Sequence, residues 1–514
     1  MVLDLAKLQK WMRLLWGLFA LFLAGLLAYG FLSQETAGKG VDEVVGGALA
    51  PLGEWLSSKV FYKIPIGDTR VEAIVLWMLC PMLFFTVWFG FLNLRGLRHA
   101  YHVISGRFLD PKAPGDVSQF QALTTALSGT VGLGNIAGVA IAVGIGGPGA
   151  AFWMLMIGLF AMALKFAECT MAVKYRVFNR DGSVSGGPMY YLYHGLKARG
   201  LSTLGAVLAV AYAVLTLPAI TQIGQVNQSF SQIKAVTGFD QGLLYGFLVA
   251  GLTGMVIMGG IRGIAKVTSR LVPLMGVIYL GAGFIILFVH AGELPYAVAL
   301  IVERAFAPEA VQGGFIGALV VGMRRAIYST EAGLGSSTIA HAAAKTREPV
   351  SEGYVGLTEP FLDTLVGLMT ALIIVATGAW QFRELGDIQI TSLAFASVIP
   401  WFPWVLALAA FLFAFSTIIS WYYYIEKVWT FLFGDSQVSV VSYKAAYCLL
   451  LAPGAVLSIG NVINIMDSLF FLLAVPNIIG LYIMAGELRR DLKDYQARLK
   501  TGKIKMSHAK GWGR

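Results

Sequence analysis

Apolar positions along this chain come in unbroken runs of about twenty. A transmembrane helix needs about 20 mostly apolar residues, because a rise of 1.5 Å per residue must cross about 30 Å of hydrocarbon. Twelve such runs are predicted, near residues 11–32, 71–94, 120–145, 149–173, 203–231, 242–260, 271–290, 310–330, 360–380, 403–431, 440–459 and 462–486. A transmembrane barrel would instead alternate polar and apolar residues over strands of about ten. Lys7, Lys10 and Arg13 precede the first run, as in a signal peptide. That run is longer than the usual h-region, so an anchored first helix is expected.

Composition agrees with the pattern. Hydrophobic residues make up 57% and charged residues only 13%, about half the charge of an ordinary soluble domain. A soluble enzyme, a disordered chain and a secreted disulfide scaffold are excluded. Cys80, Cys169 and Cys448 each sit in an apolar run without CxxC spacing and read as small core hydrophobes. With Met1 inside, the loops assigned to the cytoplasm hold 28 of the 38 Lys and Arg residues and the opposite loops 7. That asymmetry predicts both termini on the cytoplasmic side of the plasma (inner) membrane. The net charge of +10 invites a nucleic-acid reading, but nine basic residues lie in the stretch after the last run, 487–514. They read as a basic cytoplasmic tail, so no nucleic-acid partner is expected.

Two runs are poorly suited to a straight helix. Gly129, Gly132, Gly134 and Gly138 crowd the third, and each costs about 1 kcal/mol relative to alanine in a helix interior. Close packing through small residues is one reading, since Gly134 and Gly138 are four apart. The other is an unwound turn at mid-membrane whose free amides and carbonyls face a ligand. Asn135 favours the second, because a buried carboxamide needs partners. The eighth run is interrupted too, by Gly313, Gly314, Gly317 and Gly322 and then by Ser329-Thr-Glu-Ala-Gly-Leu-Gly335. Each interrupted run opens a block of five helices, and an odd number makes the blocks enter the membrane from opposite sides. The chain therefore reads as an all-α polytopic membrane protein of about twelve transmembrane helices, with two inverted five-helix repeats preceded by two extra helices. The units are 1–117 (N-terminal helices), 118–292 (first repeat), 293–486 (second repeat) and 487–514 (tail).

Polar residues inside the runs are the candidate chemistry. Thr221, Gln222, Gln225, Asn227 and Gln228 cluster in the fifth, lining a site or marking its wet end. Thr417 and Trp421 are four apart in the tenth and share a helix face, although a helical hydroxyl often only bonds back to its own turn. Lys165 and Glu168 are three apart and can pair. Such a pair at membrane depth is functional by default, but a structural ion pair is the preferred reading, and Glu168 or another buried acid would serve the alternative of proton coupling. Asp363, Asp467 and the Arg324/Arg325–Glu331 group are ionisable groups at membrane depth, for which a proton relay is an alternative. Gly132-x-Gly134-x-x-Ala137 matches a dinucleotide fingerprint, but no strand precedes it and the next acid is Glu168. No HExxH or GxSxG occurs, and His341 has no second His at ligand spacing, so no enzyme is expected.

Several motifs, in order, resemble the alanine or glycine:cation symporter family. They are Gln121-Ala-Leu-Thr-Thr-Ala126, Gly132-Leu-Gly-Asn-Ile-Ala-Gly138, Gly146-Gly-Pro-Gly-Ala-Ala-Phe-Trp-Met154, Gly187-Pro-Met-Tyr-Tyr191, Glu331-Ala-Gly-Leu-Gly-Ser336, Ala340-His-Ala-Ala-Ala-Lys-Thr346 and Phe415-Ser-Thr-Ile-Ile-Ser-Trp421. The resemblance runs from about residue 71 to 486 and implies a LeuT-type fold carrying small neutral amino acids with sodium. It implies backbone amides near Gly132, Leu133 and Gly134 for the substrate carboxylate, hydrogen bonds from Gln225 and Thr417, and apolar walls from Phe315 and Trp421. For sodium it implies the carbonyls of Thr130 and Val131 with Asn135, and oxygens of Ser416 and Thr417 for a second ion. Two positions depart from the family pattern: Thr330 stands where Asn is expected, and Leu133 where Thr is common. No cofactor beyond the coupling ion and no obligate protein partner is expected. Proton coupling and an ion channel remain the alternatives.

Overall fold

Apolar runs in lipid have one way to satisfy their backbone amides and carbonyls within a single segment, the α-helix, and the chain is built accordingly. The computed structural model describes residues 41–66, 69–179, 181–307, 314–382, 387–398, 400–456 and 460–504, with isolated positions before residue 41. The predicted first span, 11–32, lies outside the described residues apart from Met12 and Gly17.

Helix α1 (Val41–Val60) leads through an antiparallel hairpin, β1 (Lys63–Ile66) and β2 (Thr69–Glu72), into α2 (Ala73–Trp88) and the short α3 (Leu97–Ile104). The third predicted span is two helices, α4 (Gln119–Thr130) and α5 (Ala137–Gly146). Ser118 caps α4 in a reciprocal capping box with Gln121, which fixes where the helix starts. Next come α6 (Gly149–Lys174), α7 (Pro188–Lys197), α8 (Ser202–Thr216), α9 (Ile223–Thr237), α10 (Gly242–Ile257), α11 (Gly260–Val289) and α12 (Leu294–Phe306). The second interrupted helix is α13 (Gly314–Thr330) followed by α14 (Thr338–Ala342). The chain closes with α15 (Pro349–Ala376), α16 (Asp387–Ala396), α17 (Phe402–Phe433), α18 (Gln437–Leu451), α19 (Gly460–Leu472) and α20 (Ala474–Lys500). Seven described helical stretches are long and apolar enough to cross a membrane.

Two spans run further than hydropathy indicated, and the reason is the same each time. The span read as 360–380 is α15, which begins at Pro349. Its first turns carry Glu352, Glu359 and Asp363, all buried, which a window of hydropathy scores as loop. The span read as 462–486 continues in α20 to Lys500, where Lys174 pairs with Glu487 at 2.6 Å and Arg498 pairs with Glu348 at 2.6 Å. The glutamine cluster does not mark the outer end of its span: Gln222 caps the start of α9, and the helix continues past Gln228 to Thr237. The interruption sits upstream, at the 3-10 turn Leu217–Thr221 and Gln222, whose φ is +31°. Cys80, expected in the core, is exposed on α2.

Helices α6 and α15 share the most extensive helix–helix interface, and both interrupted helices pack on this pair. On one side Arg176 ties their ends together. Its guanidinium donates to the carbonyls of Ala342 (2.8 Å), Ala344 (2.6 Å), Pro114 (2.8 Å) and Thr346 (2.7 Å). A parallel bridge between Val117 and Ala344 adds to this. Four carbonyls from two separate stretches of chain are thereby bonded by one side chain, and the Pro114 carbonyl also accepts the Thr346 amide at 3.3 Å.

Candidate functional site

The first interruption falls at residues 131–136, inside the glycine-rich stretch. After α4 the chain becomes extended at Val131, passes through the 3-10 turn Leu133–Asn135 and resumes helix at Ala137. Among the four glycines, Gly129 serves packing, since a Cβ there would lie 2.9 Å from the hydroxyl of Tyr424. Gly134 and Gly138 do the opposite. A Cβ at either would meet nothing within 4 Å, because both line a cavity of about 380 Å³. Close packing thus accounts for Gly129, and open space beside the cavity for Gly134 and Gly138.

Asn135 joins this turn to two other helices. Its Oδ1 accepts the Gly132 amide at 3.2 Å. Its Nδ2 donates to the carboxylate of Asp363 (2.7 Å), to the Asp363 carbonyl (3.1 Å) and to Ser329 Oγ (3.1 Å). Ser329 in turn donates to Asp363 at 2.6 Å. All three are buried, and a void of about 20 Å³ lies against Asp363, Ser329 and Thr330, room for one water or an ion of similar size. No described Lys, Arg or His lies within ion-pair distance of Asp363. Oxygen ligands around an unneutralised carboxylate are what a hard cation requires.

A second group of oxygens gathers where α4 meets α17. Thr417 Oγ1 lies 3.0 Å from the carbonyls of both Ser128 and Phe413, Ser416 Oγ lies 2.9 Å from Phe413 O, and Ser128 Oγ donates to Ser416 O at 3.1 Å. Ser128 also bonds Ser420. Thr417 therefore bonds back to its own turn and across to α4, and it faces the cavity as well.

The cavity brings together Thr130, Gly132, Gly134, Gln225, Thr417 and Trp421 of the residues singled out above, with Gln222, Gln228, Glu331, Arg325 and Asp467. Val131, the C-cap of α4, and Ser416 are buried beside it, Ser416 facing Phe413. Leu133 lies in the 3-10 turn, but its side chain and that of Phe315 are outside the described residues. The Gln225 carboxamide oxygen is buried without a hydrogen-bond partner, a state that costs about 1–3 kcal/mol unless a ligand donates to it. Sequence reasoning did not assign Ser329, Glu331 or Asp363 to the site. Their signal was present as polar groups in or beside apolar runs, but their partners are up to 228 residues away.

The second interruption, residues 331–337, takes the conformation that Gly333 (φ +92°) and Gly335 (φ +78°) permit and that Glu331 (φ +50°) adopts under tertiary constraint. Its free amides and carbonyls are met from α6 and α20. Glu168 accepts the Gly333 amide at 3.0 Å and Asn477 Nδ2 at 2.6 Å, and Asn477 also donates to the Gly333 carbonyl at 2.8 Å. Lys165 donates to Ser337 at 2.9 Å, and its nearest carboxylate is Glu359 at 3.4 Å, with Glu168 at 4.0 Å. The expected Lys165–Glu168 pair is thus part of a larger network centred on Glu359. His341 sits between Glu352 (2.7 Å) and Glu359 (3.4 Å). Cys169, His341 and Glu359 place ligand atoms within 4.8 Å of one another. Both ring nitrogens of His341 are engaged by carboxylates, Nδ1 by Glu352 and Nε2 by Glu359, so neither is left free as a metal ligand.

These features agree with what known proteins resemble the chain. A model of the sodium:alanine symporter family matches residues 62–509. The sodium/alanine symporter AgcS of Methanococcus maripaludis is 39% identical, over 80% of this chain and 92% of its own length. A transporter of Haemophilus influenzae is 38% identical, over 81% of this chain and 92% of its own. Among solved structures, MhsT in complex with L-phenylalanine superposes with a TM-score of 0.50 at 15% identity, over 72% of this chain and 88% of that one, which establishes a LeuT-type fold. A transporter scaffold, and no enzyme, accounts for a ligand cavity between interrupted helices. The chain belongs to the sodium:alanine symporter family and is a cation-coupled amino-acid transporter of the membrane.

Proposed function

We propose that this protein is a secondary active transporter that carries a small neutral amino acid, alanine or glycine, together with sodium by alternating access. It would do so in the plasma membrane with both termini cytoplasmic. The observation that carries the reading is the buried Asn135–Asp363–Ser329 group, which reaches the wall of the cavity between two interrupted helices through Ser329. In this reading one sodium takes oxygens from Asn135, Asp363, Ser329 and the Thr130 and Val131 carbonyls. A second takes Ser416 and Thr417 with α4 carbonyls. The amino acid would lie in the cavity with its carboxylate toward Gly132, Leu133 and Gly134, Gln225 and Thr417 as hydrogen-bond partners, and Trp421 and Phe315 as apolar walls. The repeats 118–292 and 293–486 supply one interrupted helix each.

The geometry also supports an order of events. The Gly132 amide donates to Asn135 Oδ1. A cation coordinated by that oxygen competes with the amide and frees it for a carboxylate. The cation would then bind first and raise the affinity for the amino acid, by the 5- to 150-fold that a coupling of about 1–3 kcal/mol gives. Labelled alanine or glycine uptake into proteoliposomes under an inward sodium gradient tests the function. Absence of accumulation, with folded protein in the vesicles, rejects it. Proton coupling is the second reading, favoured because Asp363 is buried and no described Lys, Arg or His lies within ion-pair distance of it. Uptake driven by a pH gradient in sodium-free buffer would select it.

A further inference from the structure

Between α2 and the first interrupted helix lies a surface that does not line the cavity. Trp88 ends α2, Phe91 turns the chain with φ +57°, and a helical turn, Leu92–Arg95, leads through Gly96 into α3. One face of this segment is anchored. Leu92, Asn93, Ala100 and Val103 are buried, Asn93 donates to the Leu159 carbonyl at 3.0 Å, and His99 is 2.9 Å from the hydroxyl of Tyr495. The other face carries Phe91 (50% exposed), Leu94 (63%) and Tyr101 (62%), with Arg95 and Arg98 exposed among them. Spacings of four and three put Leu94, Arg98 and Tyr101 in one stripe, with Phe91 at its N-terminal end. Beside it, the Arg489 guanidinium of α20 lies 4.6 Å over the ring of Trp88.

The charges on this surface are unbalanced. No described acid lies within ion-pair distance of Arg95, Arg98 or Arg489. The acids of the neighbouring helix ends, Glu487, Asp491, Asp494 and Glu348, are taken by Lys174, Arg199 and Arg498. Water accounts for exposed arginines but leaves three large apolar side chains exposed between them. Hydrocarbon accounts for the apolar side chains but not for the arginines. The headgroup boundary of a bilayer accounts for both, since aromatic and apolar side chains sit at that level while guanidinium groups reach phosphates.

We propose that this stripe binds an anionic phospholipid, with Arg95 and Arg98 on the headgroup phosphate and Phe91, Leu94 and Tyr101 at the junction of headgroup and acyl chains. A zwitterionic lipid brings its own ammonium, which the unpaired arginines repel. A net negative headgroup balances them, so selectivity for charge follows. The lipid sits on a segment wedged against α15, where Gly96 packs 3.1 Å from the ring of Tyr354 if given a Cβ, and it therefore rests on the frame that holds both interrupted helices.

The test uses full-length protein in phosphatidylcholine vesicles containing trace spin-labelled phosphatidylglycerol or spin-labelled phosphatidylcholine. The immobilised fraction of each label gives the relative association. Native protein is expected to hold phosphatidylglycerol over phosphatidylcholine. Arg98→Gln should lower that preference about five-fold, the effect of one basic group at a membrane surface, and Arg95→Gln/Arg98→Gln should abolish it. Arg98→Lys should keep most of it, and Arg347→Gln, an exposed arginine paired with Asp110, should leave it unchanged. Equal retention of both lipids by native protein overturns the proposal. So does an undiminished preference in the double variant, or an equal loss in Arg347→Gln.

Discussion

Asp363→Asn separates a cation ligand from a structural acid. The substitution keeps the shape of the side chain and the neighbours Asn135 and Ser329, and removes only the charge. A sodium ion about 4 Å from the centre of that charge interacts with it by about 4 kcal/mol at an effective dielectric of 20. Removing one partner of a buried charge pair costs 2–5 kcal/mol in measured cases. A loss of about 3 kcal/mol raises the sodium concentration for half-maximal binding roughly 150-fold. Amino-acid affinity should fall at fixed sodium by no more than the coupling factor and recover as sodium is raised, because linkage is reciprocal. Equilibrium binding of labelled amino acid, titrated with sodium at constant ionic strength, reads both quantities. If the sodium midpoint of Asp363→Asn stays within about three-fold of the native value while the amino acid still binds, the cation does not use Asp363. Ser416→Ala is the companion measurement, and it should shift the midpoint through the other oxygen group without touching Asp363.

Other consequences follow from the packing. Lys165→Met leaves Glu359 and Glu168 buried beside an apolar side chain and should cost about 3–5 kcal/mol of stability. Thermal unfolding in detergent measures this, and Lys165→Met/Glu359→Gln should recover part of the loss; no recovery would show that Glu359 is not the partner. Gly138→Ala puts a methyl into open cavity and should weaken alanine binding more than glycine binding with unfolding temperature unchanged. Gly246→Ala drives its Cβ into the Ala452 carbonyl and should lower stability by about 1–3 kcal/mol with affinity unchanged, so the two glycines give opposite patterns. Burial, and the neighbouring His102, hold His99 down from an ordinary 6.5 to about 4. Between those values the unfolded chain binds more protons than the folded one, so stability present above pH 6.5 is lost as pH falls toward about 4. His99→Gln should flatten that part of the stability–pH curve, measured as unfolding temperature.

What the sequence disclosed and what it hid divide along one physical line. Hydropathy reports the average environment of a segment, so it found the apolar helices and, through the glycines, the interruption at 131–136. It fails where a charge is neutralised by a residue far away in the chain. Glu352 and Glu359 are part of α15 because His341 and Lys165 meet them, and neither partner can be inferred from the residues next to the two glutamates. Residues 487–500 are helical and docked because Lys174, Arg199 and Glu348 meet their charges, although alone they read as a tail. Asn135 could be picked out because a carboxamide inside an apolar run must have partners. That those partners are Ser329 and Asp363 depends on how three helices cross.

The same line explains why the second interruption, read from Gly313 to Gly335, was drawn too wide. Gly317 and Gly322 lie within α13, and Gly322 has no room for a Cβ, which would approach the Ala150 carbonyl to 2.6 Å. A glycine in a run therefore marks either a helix that must come close to another or a backbone that must leave the helix, and composition does not distinguish them. The distinction lies in whether free amides find acceptors. At 331–337 they do, from Glu168, and the carbonyl of Gly333 finds Asn477. An acid on α6 and an amide on α20 thus make an unwound turn stable in a medium without water. By the same reasoning, Glu168→Ala should do more than remove a charge: with its acceptor gone, the Gly333 amide is orphaned, and the turn that lines the cavity should lose its order before the surrounding helices do. Hydrogen exchange confined to residues 331–337 would register that loss, and exchange spread evenly over α13 and α15 would contradict it.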